Sequence, residues 1–205
     1  MNLKYEKAKL RNGIRYVIGC DEVGRGSLAG PVVACAVALD LNCKGKALRE
    51  VEDSKRLRPA KRQELDALIK EKVFAWAVAE VEQQIIDKIN IHQATLLAMR
   101  RAVEKILRAV PSETCLVCVD GKFTIPNLDI KQQAVVGGDN KIFSVAAASI
   151  VAKVHRDRLM ESLNSAYPEY GFAKHKGYGT LHHRRAIKKF GISPIHRKTF
   201  CSHLA

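Results

Sequence analysis

Ile14-Arg15-Tyr16-Val17-Ile18-Gly19-Cys20-Asp21-Glu22-Val23-Gly24-Arg25-Gly26 is the stretch on which the reading of this chain turns. An apolar, strand-like segment runs into two adjacent carboxylates and then into a loop of glycine and arginine. Carboxylates so close repel one another and lose hydration when partly buried. A hard divalent cation relieves both costs, because Mg2+ and Mn2+ prefer oxygen ligands. Glycines beside the acids leave room for another molecule's backbone to approach. The combination points to a metal site that serves a phosphate-bearing substrate.

Outward from this stretch, Ile14 to Asp21 is predicted as the first strand and Pro31 to Leu39 as the second, joined by the Gly-Arg-Gly loop. A polar segment, Lys44 to Arg58, contains Asp53-Ser54-Lys55, and Pro59 opens a helix to about Lys70. Val73 to Val81 alternates as a third strand. Ile91, Ala94, Thr95, Ala98, Met99, Ala102 and Ile106 carry helical spacing over Asn90 to Ala109. Cys115 to Asp120 and Lys131 to Val136 are two further strands. The second of these ends at Gly137-Gly138-Asp139. Ser144 to Leu163 is helical, and its run Ala146-Ala147-Ala148-Ser149 suits close packing on a sheet. Thr180 to Phe190 is a last, basic helix. Early strands close in sequence suit antiparallel pairing, and later ones with helical crossovers suit parallel pairing. The order suggests an α/β sandwich around a mixed sheet. Residues 1–205 are expected to form a single domain, with a basic C-terminal extension over about 170–205 packed on it.

Four acids then gain a common meaning. Asp21 and Glu22 close one strand, Asp120 closes another, and Asp139 follows a Gly-Gly turn before a helix. Open α/β sheets bind ligands at strand ends where the order reverses. Singly, Asp120 could be a turn residue and Asp139 a helix cap. Jointly they suit two-metal phosphodiester hydrolysis, with ions about 3.5–4 Å apart. No GxSxG or P-loop signature offers another chemistry.

The chain has 205 residues, 35 basic and 21 acidic, for a net charge of +14. From Tyr170 to Ala205 there are eight Lys or Arg, five His and no Asp or Glu. Such a patch is the electrostatic footprint of a polyanion. No amphipathic helix with bulky apolar residues accompanies it, so a membrane surface is not the expected partner. The longest purely apolar run, Val32 to Leu39, is too short to cross a bilayer. The first 13 residues show no signal-peptide core. A cytoplasmic location and a monomer are the default expectations. Cys115 and Cys118 form one CxxC, but in a strand residues three apart face opposite sides. Buried thiols are therefore expected in place of a zinc site. The seven histidines show no metal spacing; His182-His183 is expected to belong to the basic face and His92 to be a packing residue.

The order of motifs resembles prokaryotic type 2 ribonuclease H (RNase HII). It comprises Gly19 to Gly26 with Leu28-Ala29-Gly30-Pro31-Val32-Val33, Asp53-Ser54-Lys55, Ile91 to Met99, Val119-Asp120-Gly121, Gly138-Asp139, Ala146 to Val154 and Arg156-Asp157. Tyr170 to Thr180 and Ser193-Pro194-Ile195-His196-Arg197 complete it. The resemblance implies an RNase H-like three-layer sandwich with a central mixed five-stranded sheet flanked by helices. It implies endonucleolytic cleavage of the RNA strand of RNA–DNA hybrids and of DNA duplexes containing ribonucleotides, with Mn2+ or Mg2+ as cofactor, two ions acting in catalysis. Asp21, Glu22, Asp120 and Asp139 match the family's active-site carboxylates. Gly24-Arg25-Gly26 matches the loop that senses the ribose 2′-hydroxyl through its backbone, and Tyr178 the tyrosine that packs on the neighbouring sugar. Lys55, Lys174 and Lys176 are expected to hold phosphates. The short segment before Gly19 and the presence of Arg25 favour type 2 over the related RNase HIII family. Two other classes stay open on the residues alone. One is a non-catalytic RNA- or hybrid-binding protein, the other a transposase-like DNA nuclease on the same fold.

Overall fold

A computed structural model describes residues 3–10, 12–42 and 58–204. Asp53, Ser54 and Lys55 lie outside them. The chain runs through α1 (Lys4–Leu10), β1 (Tyr16–Val23), β2 (Val32–Asp40), α2 (Pro59–Lys72), β3 (Ala75–Val81), α3 (Gln83–Leu107), β4 (Cys115–Asp120) and β5 (Gln132–Val135). The helices α4 (Phe143–Ala166), α5 (Phe172–His175), α6 (Leu181–Phe190) and α7 (Lys198–Cys201) follow. The sheet order is β3-β2-β1-β4-β5. β1–β2 and β2–β3 pair antiparallel, whereas β1–β4 and β4–β5 pair parallel. The β2–β3 connection carries α2 although its pair is antiparallel, and β4–β5 is parallel with no helix between, so the expected sorting by connection length fails for these two pairs.

Strand alternation divides the core into two. Tyr16, Ile18, Cys20, Val117 and Val119 face a cluster with Ala94, Ala98, Met99 and Ala102 of α3. On the other face Val17, Leu116 and Cys118 meet Val145, while Cys35, Val37 and Leu39 of β2 meet Ala146, Ala147, Ile150 and Val151 of α4. Cys115 and Cys118 thus point to opposite faces, both buried, as their spacing predicts. Helix, sheet and helix make three layers.

Two local features set the sheet's active end. A Cβ placed on Gly19 would lie 2.1 Å from the carbonyl carbon of Ser144 and 2.2 Å from Val145 N. Only glycine lets the start of α4 lie directly on β1. Helix α3 is broken at Asn90 (φ 65°), whose Oδ1 accepts from the backbone N–H of His92 and Gln93 and so caps the second half. The predicted helix start at Asn90 is this internal cap; the helix itself begins at Gln83. Helix α1, which the charged first residues do not announce, inserts the fully buried Glu6 under α4, where its Oε1 accepts from Ser144 N at 2.9 Å.

Candidate active site

Strands β1 and β4 are parallel neighbours with Cys20 opposite Val119. One step further along, Asp21 stands beside Asp120 at the same end of the sheet. Both belong to the α4 side, because they continue the alternation of Val17 and of Leu116 and Cys118. Asp21 is 6% exposed. Its Oδ1 accepts from Glu22 N at 2.8 Å, and Ser149 of α4 hydrogen-bonds the same carboxyl. Burial, then the adjacent Glu22 and Asp120 charges, raise its pKa well above the usual carboxylate range despite those bonds. Burial and Asp120 also raise Glu22, against the pull of Arg25, whose Nη1 lies 3.5 Å from Glu22 Oε1.

Asp120 Oδ1 accepts from Gly138 N at 2.7 Å. This bond draws the turn after β5 onto the end of β4. Asp139, the next residue, is 3% exposed and accepts from Asn140 Nδ2 at 2.9 Å. It sits in a single 3-10 turn, Gly138–Asn140, and α4 begins only after Ile142, so Asp139 does not cap that helix. Three segments therefore bring Asp21, Glu22 and Asp120 into mutual electrostatic contact, with Asp139 joined to Asp120 through Gly138. Among the described residues no group of three or more Asp, Glu, His or Cys side chains stands placed to hold a metal ion. The set nonetheless fits a hard cation. It offers oxygen donors only, and burial with the neighbouring acids raises Asp21 and Glu22 above the usual carboxylate range, a cost that a bound cation would relieve.

The glycine loop has a more specific cause than bulk alone. Gly24 adopts φ +93°, and a Cβ there would lie 2.2 Å from Arg156 Nε. The expected space beside Gly24 is thus filled by the protein's own arginine. A Cβ on Gly26 would meet nothing within 4 Å, so the open side of the loop is at Gly26.

Two fully buried arginines hold this loop, and neither was evident from sequence as a site residue. Arg156 donates from Nε to Pro31 O, from Nη2 to Ala29 O and from Nη1 to Lys176 O. Arg197 donates from Nε to Gly30 O, from Nη1 to Arg25 O and from Nη2 to Gly24 O, at 3.0, 2.8 and 2.7 Å. Burial, then Arg156, pull Arg197 below the usual arginine value, to about 9, so it stays cationic at neutral pH. Their only sequence signal is position, each lying in a matched motif far from the loop it serves.

The C-terminal segment is built into the site. Leu28 N donates to Gly177 O, Gly30 N to Ile195 O and Arg197 N to Leu28 O. Ser27 bridges Tyr178 and Ala29 bridges His196. Tyr178 is 37% exposed, its ring 5.7 Å from the Arg156 guanidinium carbon. Lys174 is exposed. Lys176 Nζ bonds Glu161 Oε1 at 2.9 Å and the Ala173 carbonyl. The histidines differ from expectation. His182 lies on the surface, but His183 is fully buried and pairs Nε2 to Nε2 with His196 at 3.0 Å. Burial holds both near pKa 4, so they are neutral core groups and not part of the basic face. His92 packs edge-on against Phe123, as expected of a packing residue.

A mixed five-stranded sheet in which neighbouring parallel strands end in acids, with helices on both faces, defines the ribonuclease H class of nuclease. The family model described as Ribonuclease HII matches residues 18–203. The Ribonuclease HII of Geobacter sulfurreducens is 50% identical over 196 residues, covering 96% of this chain and 87% of that protein. That of Chlorobium luteolum is 47% identical over 193 residues, covering 93% and 91%. The crystal structure of ribonuclease H2 from Pyrococcus horikoshii OT3 superposes with a TM-score of 0.73 at 27% identity, covering 92% of this chain and 96% of that one. The chain belongs to the ribonuclease HII family. It is an enzyme, a divalent-metal-dependent ribonuclease H acting on RNA paired with DNA.

Proposed function

We propose that this ribonuclease H also nicks 5′ of single ribonucleotides embedded in DNA, by two-metal-ion hydrolysis that leaves a 3′-hydroxyl and a 5′-phosphate. The observation that carries the reading is the register of β1 on β4, which sets Asp21 beside Asp120 on one face, next to the Gly24-Arg25-Gly26 loop. Asp21, Glu22, Asp120 and Asp139 would hold the ions, Mn2+ or Mg2+, which when bound supply activation of water and stabilisation of the leaving oxygen. Arg25 and Gly26 present backbone to the ribose, where a 2′-hydroxyl both donates and accepts. Tyr178, two residues on from the Lys176 carbonyl that accepts from Arg156 Nη1, offers a flat ring for the adjoining sugar. Lys55, Lys174 and Lys176 would add positive charge toward phosphates without reading sequence. Residues 1–205 act as one catalytic domain, with about 170–205 as its substrate-binding part.

The test is a DNA duplex carrying one ribonucleotide, assayed with Mn2+, with Mg2+ and with chelator. Cutting is expected with either ion and none with chelator, and an all-DNA duplex should stay intact. Asp21→Asn and Asp120→Asn should each lower kcat by more than about a hundredfold, beyond the cost of disturbing mere outer-shell partners. Duplex binding should not weaken, since the basic surface is untouched. Full activity in either variant would remove the metal assignment, and cutting of all-DNA duplex would favour a DNA nuclease.

A further inference from the structure

We infer that Arg197 is a positioning residue that determines specificity by fixing the direction of the loop amides at Arg25 and Gly26. The inference rests on the reading of the loop as the ribose contact given above. It starts from an unusual allocation of a charge. Arg197 is fully buried and forms no ion pair with a described residue, yet all three guanidinium nitrogens are used. Two of them take consecutive carbonyls, Gly24 O and Arg25 O.

A peptide unit is planar and trans, so its N–H points opposite to its C=O. Turning the Gly24 and Arg25 carbonyls inward onto Arg197 turns the N–H groups of Arg25 and Gly26 outward together. Neither N–H is bonded to another described residue. The space beside Gly26 is open. The result is a pair of parallel donors, held at two points by one rigid planar fork, facing the side from which a substrate oxygen would come. Arg156 secures the far end of the same segment at Ala29 and Pro31 and fills the volume beside Gly24. Lysine cannot reproduce this hold, because its single ammonium lacks the fork geometry.

The experiment compares the full-length protein with Arg197→Lys and Arg197→Ala on the single-ribonucleotide duplex in Mn2+. Arg197→Lys is expected to lower kcat about tenfold to a hundredfold, the scale on which small misplacements act, with KM within about threefold of the parent. Arg197→Ala should fall further and regain part of its rate on adding low-millimolar guanidinium ion, but not methylammonium. A kcat for Arg197→Lys within about twofold of the parent, a loss expressed wholly in KM, or a loss in a folded Arg197→Ala that guanidinium does not restore would overturn the inference. Should Arg197→Ala not fold, the kcat–KM split of Arg197→Lys decides alone. Should the unaltered protein fail to nick this duplex, the functional reading falls, and the hold on the loop is judged by 15N relaxation. Order parameters at Arg25 and Gly26 falling below about 0.6 in Arg197→Lys, with Ile18 and Val117 unchanged, uphold it; unchanged values at Arg25 and Gly26 end it.

Discussion

Gly19 shows how one absent side chain positions a site. The missing Cβ is what allows the Ser144–Val145 backbone to rest on β1, and Ser149 one turn on then reaches Asp21. Gly19→Ala would drive a methyl into the Ser144–Val145 peptide, where no flexible side chain can yield. The expected cost is about 3 kcal/mol or more, at or above the upper end of overpacking effects, and it is read from chemical denaturation. Gly26→Ala, facing open space, should leave stability within about 0.5 kcal/mol. Sequence made both glycines visible but not their separate reasons. Gly24 is glycine because Arg156 occupies its side-chain volume and its φ is positive. That partner lies more than a hundred residues away, and no local pattern reports it.

At the scale of elements, the strands were legible because their apolar runs are short and bounded, whereas pairing direction was not, since β2–β3 is antiparallel across a helix and β4–β5 parallel without one. The four acids were legible for the same reason, since each follows an apolar run. What stayed hidden were elements held by contacts distant in sequence. Helix α1 reads as a charged leader because its one buried anchor, Glu6, is itself a charge. The segment from α5 to α7 reads as a basic face, while its interior is a hydrogen-bonded chain of imidazoles. Ser193 N donates to His196 Nδ1, so His196 Nε2–H donates to His183 Nε2, and His183 Nδ1–H donates to Tyr178 O. His175 stacks on His183 with centroids 4.4 Å apart, and Tyr170 and Phe172 close the cluster. This wiring requires neutral rings. Both His183 and His196 are lowered from 6.5 to about 4 by burial, so the folded state binds fewer protons than the unfolded chain between those values. Their contribution is therefore fully present above about pH 6.5 and is lost as pH falls toward 4. One ring is worth about 3 kcal/mol across that window, and the two together less than twice that because they share a bond. Glu6, Asp21 and Glu22, raised by burial, gain stability over the same fall in pH, so the test is local. Amide exchange in the C-terminal segment should show it loosening between about pH 6.5 and 4.5, and unchanged protection there would mean that the rings are solvated.

Over the whole molecule, charge is divided by role. The acids gather at the sheet's end, where they repel phosphate unless cations intervene, and the C-terminal segment carries positive charge with no acid at all. Burial separates two kinds of cation within that segment. Arg197 is internal and serves the scaffold, whereas Lys176, tied to Glu161 in this conformation, would leave that partner to meet a phosphate. Lys174, Arg184, Arg185, Lys188, Lys189 and Lys198 are exposed. Helix α6 buries His183, Ala186 and Ile187 and turns its basic residues outward. A surface of this kind binds duplex by releasing counterions, so affinity should fall steeply with salt. Replacing Arg185, Lys188 and Lys189 together with glutamine keeps the helix and removes three charges from that face. If all three meet phosphates, the slope of log K against log salt should become shallower by about 2 to 3, while kcat at saturating duplex stays near that of the parent. Binding isotherms at several salt concentrations measure the slope directly. An unchanged slope would turn α6 away from the nucleic acid and leave substrate capture to the loop, the tyrosine and the cations nearer the acids.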